Sequence, residues 1–161
     1  MSTIKVDTYL TRGGASEIAI DKLKGASSAG SMTVVGEGGS TTTNLQQGLT
    51  KHLCYWNGTG TPAVSDSFNN SSLTDNTTGD FTLAFTNNMG NSFYISNGHG
   101  YYDGGEGDSS APQWSLKDVS GLGNYNLTSS MRGEIVYFNA SANRTNFDYP
   151  ANWSSIDGDL A

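Results

Sequence analysis

The stretch that decides the fold is SLTDNTTGDFTLAFT, residues 72–86. Two strand-like runs flank the four residues 76–79, which end in glycine, and this pattern is typical of a β-hairpin. Side chains alternate between the two faces of a strand, so Phe81, Leu83 and Phe85 share one face. We expect these three side chains to point into a core and the intervening threonines to lie on the opposite face.

Further short runs with strand character recur along the chain, typically 8–12 residues apart, and no amphipathic helix is long enough to connect parallel strands. They are residues 3–10, 17–21, 32–35, 53–56, 92–96, 114–116, 125–128 and 133–139. Many short strands without crossover helices are typical of sandwiches. The sequence therefore predicts an all-β protein, an antiparallel β-sandwich with a jelly-roll-like arrangement, preceded by an extended N-terminal β-arm.

The predicted boundary follows residues 36–43, GEGGSTTT, which have the composition of a linker. It divides the chain into an arm, residues 1–43, and a β-sandwich domain, residues 44–161. The arm carries apolar side chains but no second layer to cover them, so we expect them to dock on other chains. The predicted docking residues are Ile4, Val6, Leu10, Ile18 and Ile20.

Composition restricts the classes of partner. Gly, Ser, Thr and Asn make up 74 of the 161 residues, and these residues favour turns and strands over helices. Fifteen acidic against eight basic residues give a net charge of −7, without a basic stripe, which argues against nucleic acid and anionic membranes. The opening residues lack the apolar core of a signal peptide, and no apolar run is long enough to span a membrane, so we expect synthesis in the cytoplasm and no membrane insertion.

Two stretches resemble a known group of proteins. WNGTGT at residues 56–61 and SFNNSSLTDNTTGDFTL at residues 67–83, closing at Phe85 and Met89, resemble a small β-domain that recurs in tailed bacteriophages, especially marine and cyanobacterial ones. The opening STIKVDT, residues 2–8, is similar to the first residues of many virion structural and tail-fibre proteins from the same phages.

The resemblance implies a virion structural protein that forms a fibre or a surface appendage, such as a tail fibre or a head decoration. It implies other virion proteins as partners, location in the virion after assembly in the host cytoplasm, and a homotrimer, since phage fibres of this kind are commonly trimeric. Strand periodicity alone would permit a dimer equally well. The resemblance carries no catalytic residues onto this chain.

Candidate reactive groups are few. His52 and Cys54 would share a face of one strand, but no third group that could orient the histidine is evident, so we interpret Cys54 as a small buried hydrophobe. Asp103, Glu106 and Asp108 could supply oxygen ligands to Ca²⁺, but their spacing is not that of an EF-hand. We therefore expect no metal site, no cofactor and no enzymatic activity.

Aromatic residues are frequent in the last 61 positions. We expect most of these rings to fill a core that is poor in leucine, with Tyr101 and Tyr102 as exceptions because glycines flank them. Together with Asp103, they are candidates for contact with sugars, which expose apolar C–H faces and hydroxyls together. The alternative function is accordingly a carbohydrate-binding module for host-surface glycan, and a third is an enzyme that cleaves polysaccharide with two carboxylates.

Overall fold

The computed structural model describes residues 22, 32–45, 48–101, 112–116, 126–138, 141 and 143–158. These residues form strands in antiparallel pairs and no helix, so they contain no helix able to span a membrane. The strands are β1 (Thr33–Val35), β2 (Thr42–Asn44), β3 (Thr50–Asn57), β4 (Ala63–Phe68), β5 (Asn70–Thr77), β6 (Asp80–Phe85), β7 (Ile95–Tyr101), β8 (Gln113–Leu116), β9 (Ser130–Phe138), β10 (Arg144–Asn146) and β11 (Ala151–Asp157). The predicted all-β, antiparallel class is confirmed.

One large sheet contains every described strand except β1 and β2. Its order is β4-β3-β11-β7-β8-β9-β6-β5, and β10 pairs with β9 beyond the end of β6. The two outermost strands, β4 and β5, are consecutive in the chain, and β5 also contacts β3 and β4. The sheet therefore curls into a nearly closed barrel, and the predicted jelly-roll-like sandwich of two separate sheets is not confirmed.

A single residue, Asn69, turns the chain from β4 into β5. Its φ is 58°, in the left-handed region that asparagine tolerates better than most residues. The side-chain amide donates to the carbonyls of Lys51 and Asn87, and its oxygen accepts from the backbone N–H of Asn87. These hydrogen bonds attach the turn between β4 and β5 both to β3 and to the segment that follows β6.

The predicted hairpin is confirmed as β5 and β6. Its turn is tighter than the sequence indicates, because β5 continues to Thr77 and only Thr78 and Gly79 lie between the strands. Gly79 has a φ of 66°, and a Cβ there would lie 2.6 Å from the backbone nitrogen of Phe147 and 2.8 Å from the carbonyl oxygen of Ile135. The position therefore requires glycine for its conformation and for close packing.

Aromatic rings fill the barrel interior. Phe81 and Leu83 are fully buried, as predicted, and Phe85 is nearly so. The Trp56 ring packs edge-to-face on Phe81 and on Trp114, with 5.8 Å between ring centroids in both pairs. Such rings bury a large area each, which offsets the scarcity of leucine. The expectation that rings fill the core holds for Trp114 and for Tyr149, which is 4% exposed.

Around β7 the structure differs from the sequence-based interpretation. The predicted strand covers residues 92–96, whereas β7 begins at Ile95 and continues to Tyr101, because a glycine at position 98 leaves room for the Trp114 side chain. Phe93 and Ile95 are exposed, and the buried ring is Tyr94, whose hydroxyl donates to the carbonyls of Leu127 and Ser130.

The N-terminal part is described only from residue 32, apart from residue 22. β1 confirms the strand candidate at residues 32–35, while the predicted linker at 36–43 contains the turn of a hairpin and the first two residues of β2. Val34 and Val35 on β1 are 52% and 57% exposed. The rest of the predicted arm lies outside the described residues.

The hairpin register can be tested by replacing one residue on each face. Leu83→Ala removes a fully buried side chain and should cost about 2–5 kcal/mol of unfolding free energy. Thr74→Ala changes an exposed side chain of β5 and should cost less than about 0.5 kcal/mol. Urea denaturation measures both, and equal losses would contradict the register.

Candidate functional site

A row of exposed side chains crosses five neighbouring strands on the outside of the barrel. Tyr55 of β3 pairs on one side with Asp66 of β4 and on the other with Trp153 of β11. Trp153 pairs in turn with His99 of β7, and His99 pairs with Gln113 of β8. All five are exposed, and we call them the outer aromatic row.

The alternation of each strand directs these side chains outward. On β3, Cys54 and Trp56 are buried, so Tyr55 between them faces solvent and is 41% exposed. On β11, the buried positions are Asn152, Ser154 and Ile156, and Trp153 is 40% exposed. The barrel interior therefore determines which rings remain outside.

The rings of the row lie side by side across the strands. Directly paired side chains have Cβ atoms about 4.5–5.5 Å apart, so Tyr55, Trp153 and His99 span about 10 Å. The His99 and Trp153 rings are 5.9 Å apart between centroids and inclined by 50°. The three rings thus form a continuous aromatic strip on a sheet surface.

Hydrogen-bonding groups lie at both ends of the strip and beside it, next to the exposed apolar side chains of Leu53 and Phe68. Asp66 and Gln113 lie at the two ends of the strip, and both are exposed. In the next row along the strands, Ser155 pairs with Leu53 and with Asn97 on the same outer face. A surface that combines rings with such polar groups has the composition of a sugar-contacting surface.

The predicted site residues fall in different places. Tyr101, predicted to contact glycan, is 55% exposed and lies on the outer face of β7, two residues beyond His99. Tyr102 and Asp103, and with them the acidic positions 106 and 108, lie outside the described residues. So do the predicted docking residues Ile4, Val6, Leu10, Ile18 and Ile20.

The central ring of this surface, Trp153, was not predicted from the sequence to be exposed. Trp153 was expected to fill the interior, which is wrong for this residue, because Asn152, Ser154 and Ile156 take the inner positions of β11. The segment ANWSSID gives an ambiguous signal, because Trp153 and Ile156 are three residues apart and a strand places them on opposite faces. Which of its two faces is buried does not follow from that spacing.

The pair His52 and Cys54 does not form an activated nucleophile. Both side chains are buried, as expected for Cys54. Burial raises the pKa of the Cys54 thiol to about 12, with a smaller contribution from the negative charge of Asp66. Burial likewise lowers the pKa of His52, partly offset by its hydrogen bond to Asn70. The thiol is therefore protonated and unreactive near neutral pH.

Two carboxylates face each other elsewhere on the barrel, where Asp80 of β6 pairs with Glu134 of β9. The Arg132 guanidinium binds both oxygens of Asp80 at 2.8 Å, and Arg144 pairs with Glu134. The hydrogen bond to Asp80 raises the pKa of Arg132. Carboxylates held by arginines in this way serve as structural ion pairs.

Among the described residues, no three or more His, Cys, Asp or Glu side chains are grouped so that they could hold a metal ion.

No protein-family model, curated protein sequence or solved structure matches this chain at a significant level.

The state of the buried thiol leads to a direct test. In the native protein at pH 8, Cys54 should react with a disulfide reagent such as DTNB at least about 100-fold more slowly than in the urea-unfolded chain, because the thiol is buried and protonated. Absorbance of the released thiolate gives both rates. Native labelling as fast as that of the unfolded chain would contradict the buried, protonated state.

Proposed function

We propose that this protein is a surface appendage protein of a tailed-phage particle and that its barrel contacts a host-surface glycan through the outer aromatic row. The observation that carries the glycan contact is the pairing of Tyr55, Trp153 and His99 across three strands, all exposed. The virion role is supported by the resemblance of residues 56–61 and 67–83 to phage β-domains.

The chemistry of the row favours a sugar over an aliphatic protein surface. The apolar C–H face of a sugar ring packs against aromatic rings, while its hydroxyls need donors and acceptors at the edge of the contact. Tyr55 and Trp153 supply adjacent rings, and Asp66, Gln113 and Asn97 supply polar groups around them. Tyr101 on the same face extends the aromatic surface along β7.

The N-terminal segment supports the role of an assembled subunit. β1 and β2 pair with each other and not with the barrel sheet, and an isolated two-stranded hairpin is marginally stable in water. Val34 and Val35 are more than half exposed. In the proposal, residues 1–43 form an extended arm that is covered by identical chains in a homotrimer or by other virion proteins.

Glycan contact is tested with single substitutions in the full chain. On an array of bacterial-surface oligosaccharides, the wild-type protein should bind, and Tyr55→Ala and Trp153→Ala should each weaken binding about tenfold or more, because each removes a stacking surface. Tryptophan fluorescence titration with the bound oligosaccharide measures the affinities.

Phe138→Ala is the matched control for this experiment. Phe138 is 45% exposed, like the rings of the row, but lies on β9, three strands away from β11. Its removal should leave binding unchanged. A wild-type protein that binds no glycan, or equal losses in all three variants, would contradict the proposed contact.

Assembly is tested by sedimentation equilibrium of the full-length protein. We expect a mass about three times the 17.0 kDa of one chain, and a smaller mass for the double variant Val34→Asp, Val35→Asp, which places charges on the exposed strand. A wild-type monomer with a protease-resistant N-terminal segment would contradict a covered arm. A monomer with a protease-sensitive segment would contradict the homotrimer and assign the arm to another virion protein.

A further inference from the structure

We infer that the outer aromatic row selects uncharged or amino-substituted glycans against acidic ones, and that Asp66 is the residue that makes this selection. The inference rests on the proposed function and deepens it, because it names the charge class of the ligand. The inference follows from the position of the exposed Asp66 carboxylate and from the charges of the strands around it.

Asp66 lies at the end of the aromatic strip. It pairs directly with Tyr55, which pairs with Trp153, so the carboxylate is one strand away from the first ring and on the same outer face. Directly paired side chains on one face are in contact range. A sugar stacked on Tyr55 therefore places its substituents within reach of Asp66.

The other strands of this surface contribute no exposed lysine or arginine. β4, β7, β8 and β11 contain neither residue type, and their charged or titratable members are Asp66, His99, Tyr101 and Asp157. The one basic residue of β3 is Lys51, which is 5% exposed and donates its Nζ to the carbonyl of Leu49 at 2.6 Å. Asp157 accepts a hydrogen bond from Thr50.

This charge pattern has opposite effects on two kinds of sugar. Recognition of a carboxylate or sulfate normally uses the strong charge-assisted hydrogen bonds of arginine or lysine, and the described strands β4, β7, β8 and β11 of this face contain neither. An acidic group near Tyr55 would instead meet the negative charge of Asp66. A carboxylate accepts hydrogen bonds from neighbouring hydroxyls and, more strongly, from an ammonium group.

The test compares four hexasaccharides of equal length: neutral cellohexaose and chitohexaose, the cationic, fully deacetylated chitosan hexamer, and anionic hexaguluronate. With the full-length wild-type protein in 20 mM NaCl, we expect the anionic hexamer to bind at least about fivefold more weakly than the neutral ones and the cationic hexamer to bind most tightly. At 200 mM NaCl these differences should shrink, since salt screens exposed charges.

Asp66→Asn separates charge from shape. The variant keeps a polar side chain of the same size and should lose most of the difference between the cationic and anionic hexamers while still binding the neutral ones. Asp75→Asn is the matched control, because Asp75 is also exposed but lies on β5 and outside the row. It should leave all four affinities unchanged.

The outcomes separate the two proposals. Tight binding of hexaguluronate by the wild type, or an unchanged preference in Asp66→Asn, would overturn the selection by charge and leave the glycan contact standing, provided that Tyr55→Ala weakens binding. Binding of none of the four hexamers would overturn the selection, while the oligosaccharide array decides the glycan contact separately.

Discussion

The whole barrel depends on packing large aromatic rings into an interior that has few leucines. Trp114 lies over Gly133, where a Cβ would be only 2.2 Å from its ring, and beside Gly98, where a Cβ would be 2.9 Å from the tryptophan's own Cβ. The glycines on β7 and β9 create the space that the indole occupies. Trp56 then packs edge-to-face on this indole and on Phe81, so rings of β3, β6 and β8 meet across the interior.

This interior explains why the outer surface carries rings. A strand offers only alternate positions to the core, and in β11 these are taken by Ile156 and by two small polar residues, Asn152 and Ser154, while the rings of other strands fill the remaining space. Asn152 is fully buried and donates to the carbonyl of Tyr149 at 2.9 Å. Trp153 is consequently left outside, next to Tyr55, and the exposed strip follows from the packing inside.

The two edge strands of the sheet differ from its inner strands. β4 and β5, the two edge strands, are largely exposed, and each carries an aspartate, Asp66 or Asp75. Charged side chains on an edge discourage uncontrolled pairing with other chains. Asn69 connects the edges through its left-handed backbone and side-chain hydrogen bonds. In our proposal, Asp66 has a second role at the end of the aromatic row.

The sequence by itself determined the β class, the hairpin around Gly79 and the inward face of β6, because alternation, turn chemistry and glycine are local signals. It also indicated that Cys54 is buried. Only the tertiary structure decided the barrel and the outer aromatic row, since both depend on which strands become neighbours. In β11, Trp153 and Ile156 are three residues apart and lie on opposite faces, so the local sequence does not decide which of them is buried, and the choice depends on the rings that other strands contribute to the core.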